Sequence, residues 1–210
     1  MGKRRLGKQT KEESEKTKQK IIEAALEAFA REGFFNAKLR DIARVAGTTH
    51  SLIRHHFGSK DDLWKAVVDY GLTLSEQRLK EIIASQDHGN PVDLLKITIK
   101  SHVLFFAKNP ALSRILLHNN SRSSPHIDYI LEKQKGVLEI VEPVFKKVQA
   151  LGYFNGFDHD SFSIYMRALS ETPIATSDMT NKLLKSDIRS DTGIALHTER
   201  VINFLFHKEA

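Results

Sequence analysis

Residues 41–64 read DIARVAGTTHSLIRHHFGSKDDLW, and the order of small, apolar and turn residues in this stretch decides the fold. Leu39, Ile42, Ala43 and Ala46 recur at the spacing of one helix face, and Gly47 follows as a stop. Two threonines then lead into Ser51–Phe57, a segment too short to be a stable helix alone. Ala43 and Gly47 are small where two helices cross closely, and Gly47 can take the positive φ that a tight turn demands. Upstream, Ile22, Ala25, Leu26 and Phe29 fall at the 0, +3, +4, +7 spacing of another helix, ended by Gly33. Three short helices with a glycine-bearing turn between the last two form the helix-turn-helix pattern. Asn36 is the expected cap of the second helix. Ile42, Ile53 and Phe57 are expected to fill the small core between the three.

The charge sits with this module. Up to Lys65 the chain holds 15 Lys and Arg against 9 Asp and Glu, and beyond it 17 against 17, so the whole excess of +6 lies in the first third. A basic excess confined to one region is the footprint of a polyanion-binding surface, because each cation set against a phosphate releases counterions. Residues 1–14, with Lys3, Arg4, Arg5 and Lys8, read as a basic flexible tail that either joins that surface or is merely solvated.

Several classes are set aside by what the sequence lacks. With no cysteine there are no disulfides, thiolate metal sites or cysteine nucleophiles, which agrees with a reducing cytoplasm. No apolar run approaches the roughly 20 residues of a membrane-spanning helix, and no apolar segment follows the basic start. A soluble, cytoplasmic chain with no membrane partner is expected. Adjacent residues on a helix point about 100° apart, so His55 and His56 cannot chelate one ion from one face. No metal and no cofactor is expected. The sequence holds no P-loop, no GxGxxG after a strand, no GxSxG elbow and no convergent carboxylate pair, so it does not read as an enzyme.

Beyond Lys60 helical periodicity continues without a convincing strand. A long helix from about Asp61 to Gln86 is followed by Pro91–Lys108, Ala111–Asn119, Ile127–Gln149 with Pro143 inside it, Asp158–Ala175 and Thr192–His207. The Ser-, Thr-, Asp- and Asn-rich stretch 176–190 is expected to be the most mobile connection. The fold class is all-α, with about nine helices.

From Lys16 to Tyr70 the sequence resembles the TetR family of transcriptional regulators. The resemblance is carried by Ile42-Ala43, the Ala46-Gly47 turn, Phe57 and Gly58-Ser59-Lys60-Asp61-Asp62-Leu63, with Ala24, Ala25, Phe29 and Gly33-Phe34 upstream. It implies a DNA-binding helix-turn-helix domain over residues 15–62 and a larger helical domain over 63–210 for effector binding and dimerisation. The implied function is that of a repressor holding palindromic double-stranded operator DNA as a homodimer and released by a small-molecule effector. The alternative is an architectural DNA-binding helical protein without an effector.

The candidate DNA contacts are Arg40, Thr48, Thr49, His50, Ser51, Leu52, Arg54, His55, His56 and Lys60. Hydroxyls of Thr48, Thr49 and Ser51 at the start of a helix suit a phosphate oxygen, and either threonine can instead be the N-cap. Lys60 matches the family's phosphate-binding lysine, and Arg40 a position that reaches a base or a phosphate. Leu52 can touch a thymine methyl or fill the core; His50 is a candidate base reader and His56 a phosphate donor. Where many relatives read Leu-Tyr-aromatic-His, this chain has Ile53-Arg54-His55-His56. Arg54 thus replaces an aromatic contact and can bind phosphate or fork onto guanine. For the effector pocket the candidates are His102, Phe106, Gln134 and Tyr165, polar groups and rings that interrupt apolar stripes. For the dimer interface they are Phe162, Leu169, Ile194, Val201, Phe204 and Leu205 on the last two long helices.

Overall fold

A computed structural model describes residues 11–85, 89–120 and 126–207, and the described residues form helices and no strand. They divide into two compact units at Tyr70/Gly71, later than the expected boundary at residue 62. The reason is that the long fourth helix begins inside the first unit, with Leu63, Trp64, Val67 and Val68 buried there.

In the first unit, α1 spans Lys11–Asn36 and is interrupted at Gly33, whose φ of 75° and ψ of 165° are not helical. Residues 11–14, expected in the tail, are its first turn; Lys3, Arg4, Arg5 and Lys8 lie outside the described residues. α2 covers Leu39–Val45 and α3 His50–Phe57. Asn36 does not cap α2: its side-chain amide donates to the carbonyl of Glu32 at 3.2 Å, and the cap position of α2 is held by Lys38, which makes no side-chain cap bond. Asn36 still ends α1, so its amide turns back to the preceding turn. The four residues 46–49 join α2 to α3. Gly47 supplies φ 64° there, and the N–H groups of Ala46, Gly47 and Thr48 donate to the carbonyls of Ile42, Arg44 and Ala43. No amide of the turn from Ala46 to Thr48 is left unmet. α4, Lys60–Ser85, runs unbroken into the second unit.

The second unit is built on α5 (Pro91–Lys108), which packs against α7 (His126–Gln149), α8 (His159–Ala175) and α10 (Asp191–Leu205). α5 is well begun: Asn90 accepts from the N–H of Val92 at 3.0 Å, and Pro91 lies in the first turn. α6 (Pro110–Asn120) packs on α8. The core holds Leu95, Ile99, Phe145, Val148 and Phe162 with Val201 from α10. Rings of Phe145 and Phe154 stand 4.9 and 4.7 Å from that of Phe162. Among the described residues no helix is long and apolar enough to cross a membrane.

The segment expected as a mobile connection contains a helix, α9, at Ser177–Leu184, which raises the count among the described residues to ten. Its composition is that of a loop, and what orders it is tertiary: Ser177 and Thr180 are buried. Asn181 accepts from the N–H of Ile188 at 2.8 Å and donates to Asp187 at 3.1 Å. The turn thus formed lies against the start of α10, where a Cβ on Gly193 would fall 2.0 Å from the carbonyl oxygen of Asp187. Gly193→Ala is therefore expected to destabilise the protein by about 1–3 kcal/mol, the usual cost of overpacking. Urea unfolding monitored by circular dichroism reads this directly, and an unchanged midpoint would contradict the close approach.

Candidate nucleic-acid interface and ligand cleft

The eight residues of α3 sort by helical angle. Ser51, Arg54 and His55 share one exposed arc with half-buried His50 beside it, while Ile53 is buried on the opposite side. Leu52, Phe57 and His56 are half-buried and flank Ile53. Of the two threonines, Thr49 is the N-cap, accepting from the N–H of Leu52 at 3.2 Å. Its oxygen accepts in the cap while its hydroxyl proton can still donate, and half-buried Thr48 stands beside the turn.

His56 faces inward more than a phosphate donor requires. Its Nε2 is buried and has no hydrogen-bond partner among the described residues. Burial pushes its pKa down, and the neighbouring charges of His55 and Lys18 push the same way against Glu15. Lys60 is likewise engaged inside the unit: Nζ donates to the carbonyl of Phe35 at 3.1 Å and stands 4.9 Å from the centre of the Phe34 ring. Desolvation lowers its pKa too. Two further donor positions of the ammonium stay open to a phosphate.

Arg40, His50 and Lys60 line one shallow concavity with Lys38 and Phe35. Phe35 is 73% exposed beside these cations. Neither Phe35 nor Lys38 stood out in the sequence, because Phe35 follows the break at Gly33 near the end of α1 and Lys38 stands just before α2, where no periodicity marks them. Among the described residues no group of three His, Asp or Glu could hold a metal ion.

In the second unit a cleft of about 660 Å³, its open mouth included, lies between α4, α5, α7 and α8. Leu95 and Ile99 of α5, Val137 and Val141 of α7, and Phe162 and Met166 of α8 make it mainly apolar. Polar groups gather along one stretch: Ser75 and Arg78 of α4, Ser101 and His102 of α5, and Arg167 of α8. Behind them Glu171 is buried, taking a hydrogen bond from Arg167 Nε at 2.9 Å and lying 3.1 Å from His102 Nε2. Arg167 Nη1 donates to Gln134 Oε1 at 2.6 Å. Burial opposes ionisation of Glu171, but Arg167 and His102 outweigh it and hold its carboxyl below the usual range.

Of the four pocket candidates, His102 lines the cleft. Phe106 is buried behind it, rings 4.7 Å apart, and Gln134 anchors Arg167. Tyr165 does not reach it: the ring is 58% exposed and meets Phe157 edge-on. On α8 the inward position is held by Arg167 instead, two residues on.

The interface candidates divide in the same way. Phe162 and Val201 belong to the core of the unit, and Leu169 and Leu205 pack against it. Ile194 is half-buried, and Phe204 alone of the six is exposed. α8 and α10 carry apolar residues on two sides, and of the six candidates Phe204 lies on the outer one. The outer side presents Ile164, Tyr165, Leu196 and Phe204.

Comparison with known proteins places this geometry. Residues 21–67 match the model described as bacterial regulatory proteins, tetR family. The HTH-type transcriptional regulator TtgR of Pseudomonas putida is 29% identical over 135 residues, 63% of this chain and 64% of that protein. The probable acrEF/envCD operon repressor of Escherichia coli is 33% identical over 116 residues, 54% of this chain and 52% of that protein. The chain thus spans less than two thirds of the length of these curated relatives. Among solved structures, the transcriptional regulator FadR from Bacillus subtilis in complex with stearoyl-CoA superposes with a TM-score of 0.71 at 20% identity, covering 91% of this chain and 99% of that one.

The half-buried ring of His56, with its Nε2 out of water, makes stability depend on pH. Its folded pKa lies below that of the unfolded chain, so the unfolded state takes up the proton first. The contribution of the neutral ring is complete above about pH 6.5 and declines as pH falls from there towards the lowered folded value. The thermal midpoint is expected to drop between about pH 7 and pH 5, and less steeply in His56→Leu, which removes this proton uptake. Identical slopes for the two proteins would place His56 in water instead.

Proposed function

By its N-terminal module the chain belongs to the tetR family of bacterial regulatory proteins, and on that ground we propose that it is a transcriptional repressor, holding a pseudo-palindromic operator as a homodimer and released by a small organic effector. The observation that carries this reading is the solvent-facing row Ser51, Arg54 and His55 on a helix fixed from behind by Ile53. Such a helix lies in the major groove while α2 crosses the backbone. Arg54 reads guanine or grips phosphate; Lys38, Arg40 and Lys60 supply phosphate contacts from the adjoining concavity.

Two half-sites require a two-fold protein. α8 and α10 each turn one face to their own core and leave the other, with Ile164, Tyr165, Leu196 and Phe204, in solvent. Meeting their copies, these faces make a four-helix interface. The cleft of the second unit supports the effector, with a few polar groups in an apolar lining. The like-folded FadR, described with stearoyl-CoA, favours an organic ligand as well. α4 begins at Lys60, three residues after α3 ends, and farther along carries Ser75, Arg78 and Leu79 on the cleft. A ligand that prefers one setting of α4 changes the separation of two recognition helices in a dimer, and operator must weaken ligand binding by the same factor.

Selection from a random duplex pool is expected to return a pseudo-palindrome; sequences without two-fold symmetry would overturn the repressor reading. With that duplex, Arg54→Ala should change base preference if the guanidinium reads bases, and should weaken all sequences alike if it grips phosphate. Phe204→Asp is expected to convert the dimer to a monomer in sedimentation equilibrium and to lower operator affinity at least about tenfold, since a charge at an apolar interface must be desolvated. A variant that stays dimeric removes this end of α10 from the interface.

A further inference from the structure

The donors and acceptors that border the cleft do not balance. Arg78 Nε donates to Ser101 Oγ at 3.0 Å, and no carboxylate of the described residues lies within ion-pair distance of its guanidinium. The hydroxyl proton of Ser101 and the hydroxyl of Ser75 take part in no hydrogen bond among the described residues. The other polar groups are already matched. Thr98 donates to the carbonyl of Leu94 at 2.9 Å, and Ser163 lies 3.5 Å from His159 Nε2. Arg167 is neutralised by Glu171, and the nearby Glu76 by Lys80 at 2.6 Å. What remains where α4 and α5 line the cleft is, among the described residues, one uncompensated cation and two hydroxyls that can donate, while the walls beyond them, from Ile99 towards Leu95, Val141 and Phe162, are hydrocarbon.

A neutral ligand can accept from these donors but leaves the charge of Arg78 unneutralised, and a cation opposes it; an anion supplies both the acceptors and the opposite charge, and bonds to charged groups are the stronger kind. We propose that the cleft selects an apolar organic monoanion, its carboxylate held by Arg78, Ser101 and Ser75 and its hydrocarbon body laid against Leu95, Ile99, Val141 and Phe162. This rests on the reading of the cleft as the effector site. Arg78 stands at the exposed edge, so the carboxylate stays near water while the body is buried, which spares the anion full desolvation.

The test uses three probes with one tail and different heads: octanoate, octan-1-ol and octylamine, titrated calorimetrically into the full-length protein. Octanoate is expected to bind about tenfold tighter than octanol, the effect of one charge-assisted contact, and octylamine weakest. Arg78→Met keeps the side-chain stem and removes the charge; it should bring octanoate to within about threefold of octanol while octanol itself is unchanged. Because Arg78 is exposed, the variant is expected to keep the wild-type thermal midpoint. Octanol or octylamine binding as tightly as octanoate would overturn the anion selectivity and leave the cleft as a ligand site. Retention of the octanoate preference in Arg78→Met would overturn the assignment of the head. If none of the three binds, the cleft reading falls together with the inference. If octanoate is preferred and depends on Arg78 yet does not release operator, the inference holds and effector-driven release alone fails.

Discussion

A carboxylate taken almost wholly out of water has to be met by donors and positive charge, or it cannot stay ionised. In the second unit Glu171 of α8 is met by Arg167 from its own helix and by His102 from α5, and Arg167 reaches on to Gln134 of α7. Three helices that surround the cleft are thereby tied together at one level, where apolar packing alone would let them slide. The tie is also electrically closed: the buried charge and its partner cancel, so the wall they form is polar without being a net cation or anion. That closure is why the charge of Arg78, one helix away, stands out as the one left uncompensated by the described residues around the cleft.

The first unit depends on a comparable closure at the end of α1. Gly33 breaks the helix, and the carbonyl of Phe35 beyond it has no helical partner to accept from. Lys60, the first residue of α4, supplies the donor and rests over the Phe34 ring. A lysine in the position of a phosphate clamp is thus first a brace between the end of α1 and the start of α4. α3 is positioned by the four-residue turn and by Ile53, and its exposed arc follows from that anchoring. Once Ile53 points inward, Ser51, Arg54 and His55 have to point out, and Leu52 and His56 fall between.

The helix-turn-helix was legible in the order of residues alone, because its signals are local. Small residues at Ala43 and Gly47, apolar residues at Ile42 and Ile53 and a turn four residues long act within one or two helical turns of each other. The later helices were legible for the same reason, from Pro91 and from the helical periodicity of the stretches that follow it. Short-range patterning stopped short of questions that long-range contacts answer. Asn36 has the chemistry of a cap, but the helix before it extends to include it, and its amide bonds backward to Glu32. Residues 177–184 have the composition of a loop and are held as a helix by burial of Ser177 and Thr180 and by the bonds of Asn181. Phe162, Val201 and Tyr165 show the limit most clearly. A helix apolar on two sides has a period that names both faces equally. Which face meets its own core, and which is left in solvent beside Phe204, was fixed only when α5, α7 and α10 packed around it.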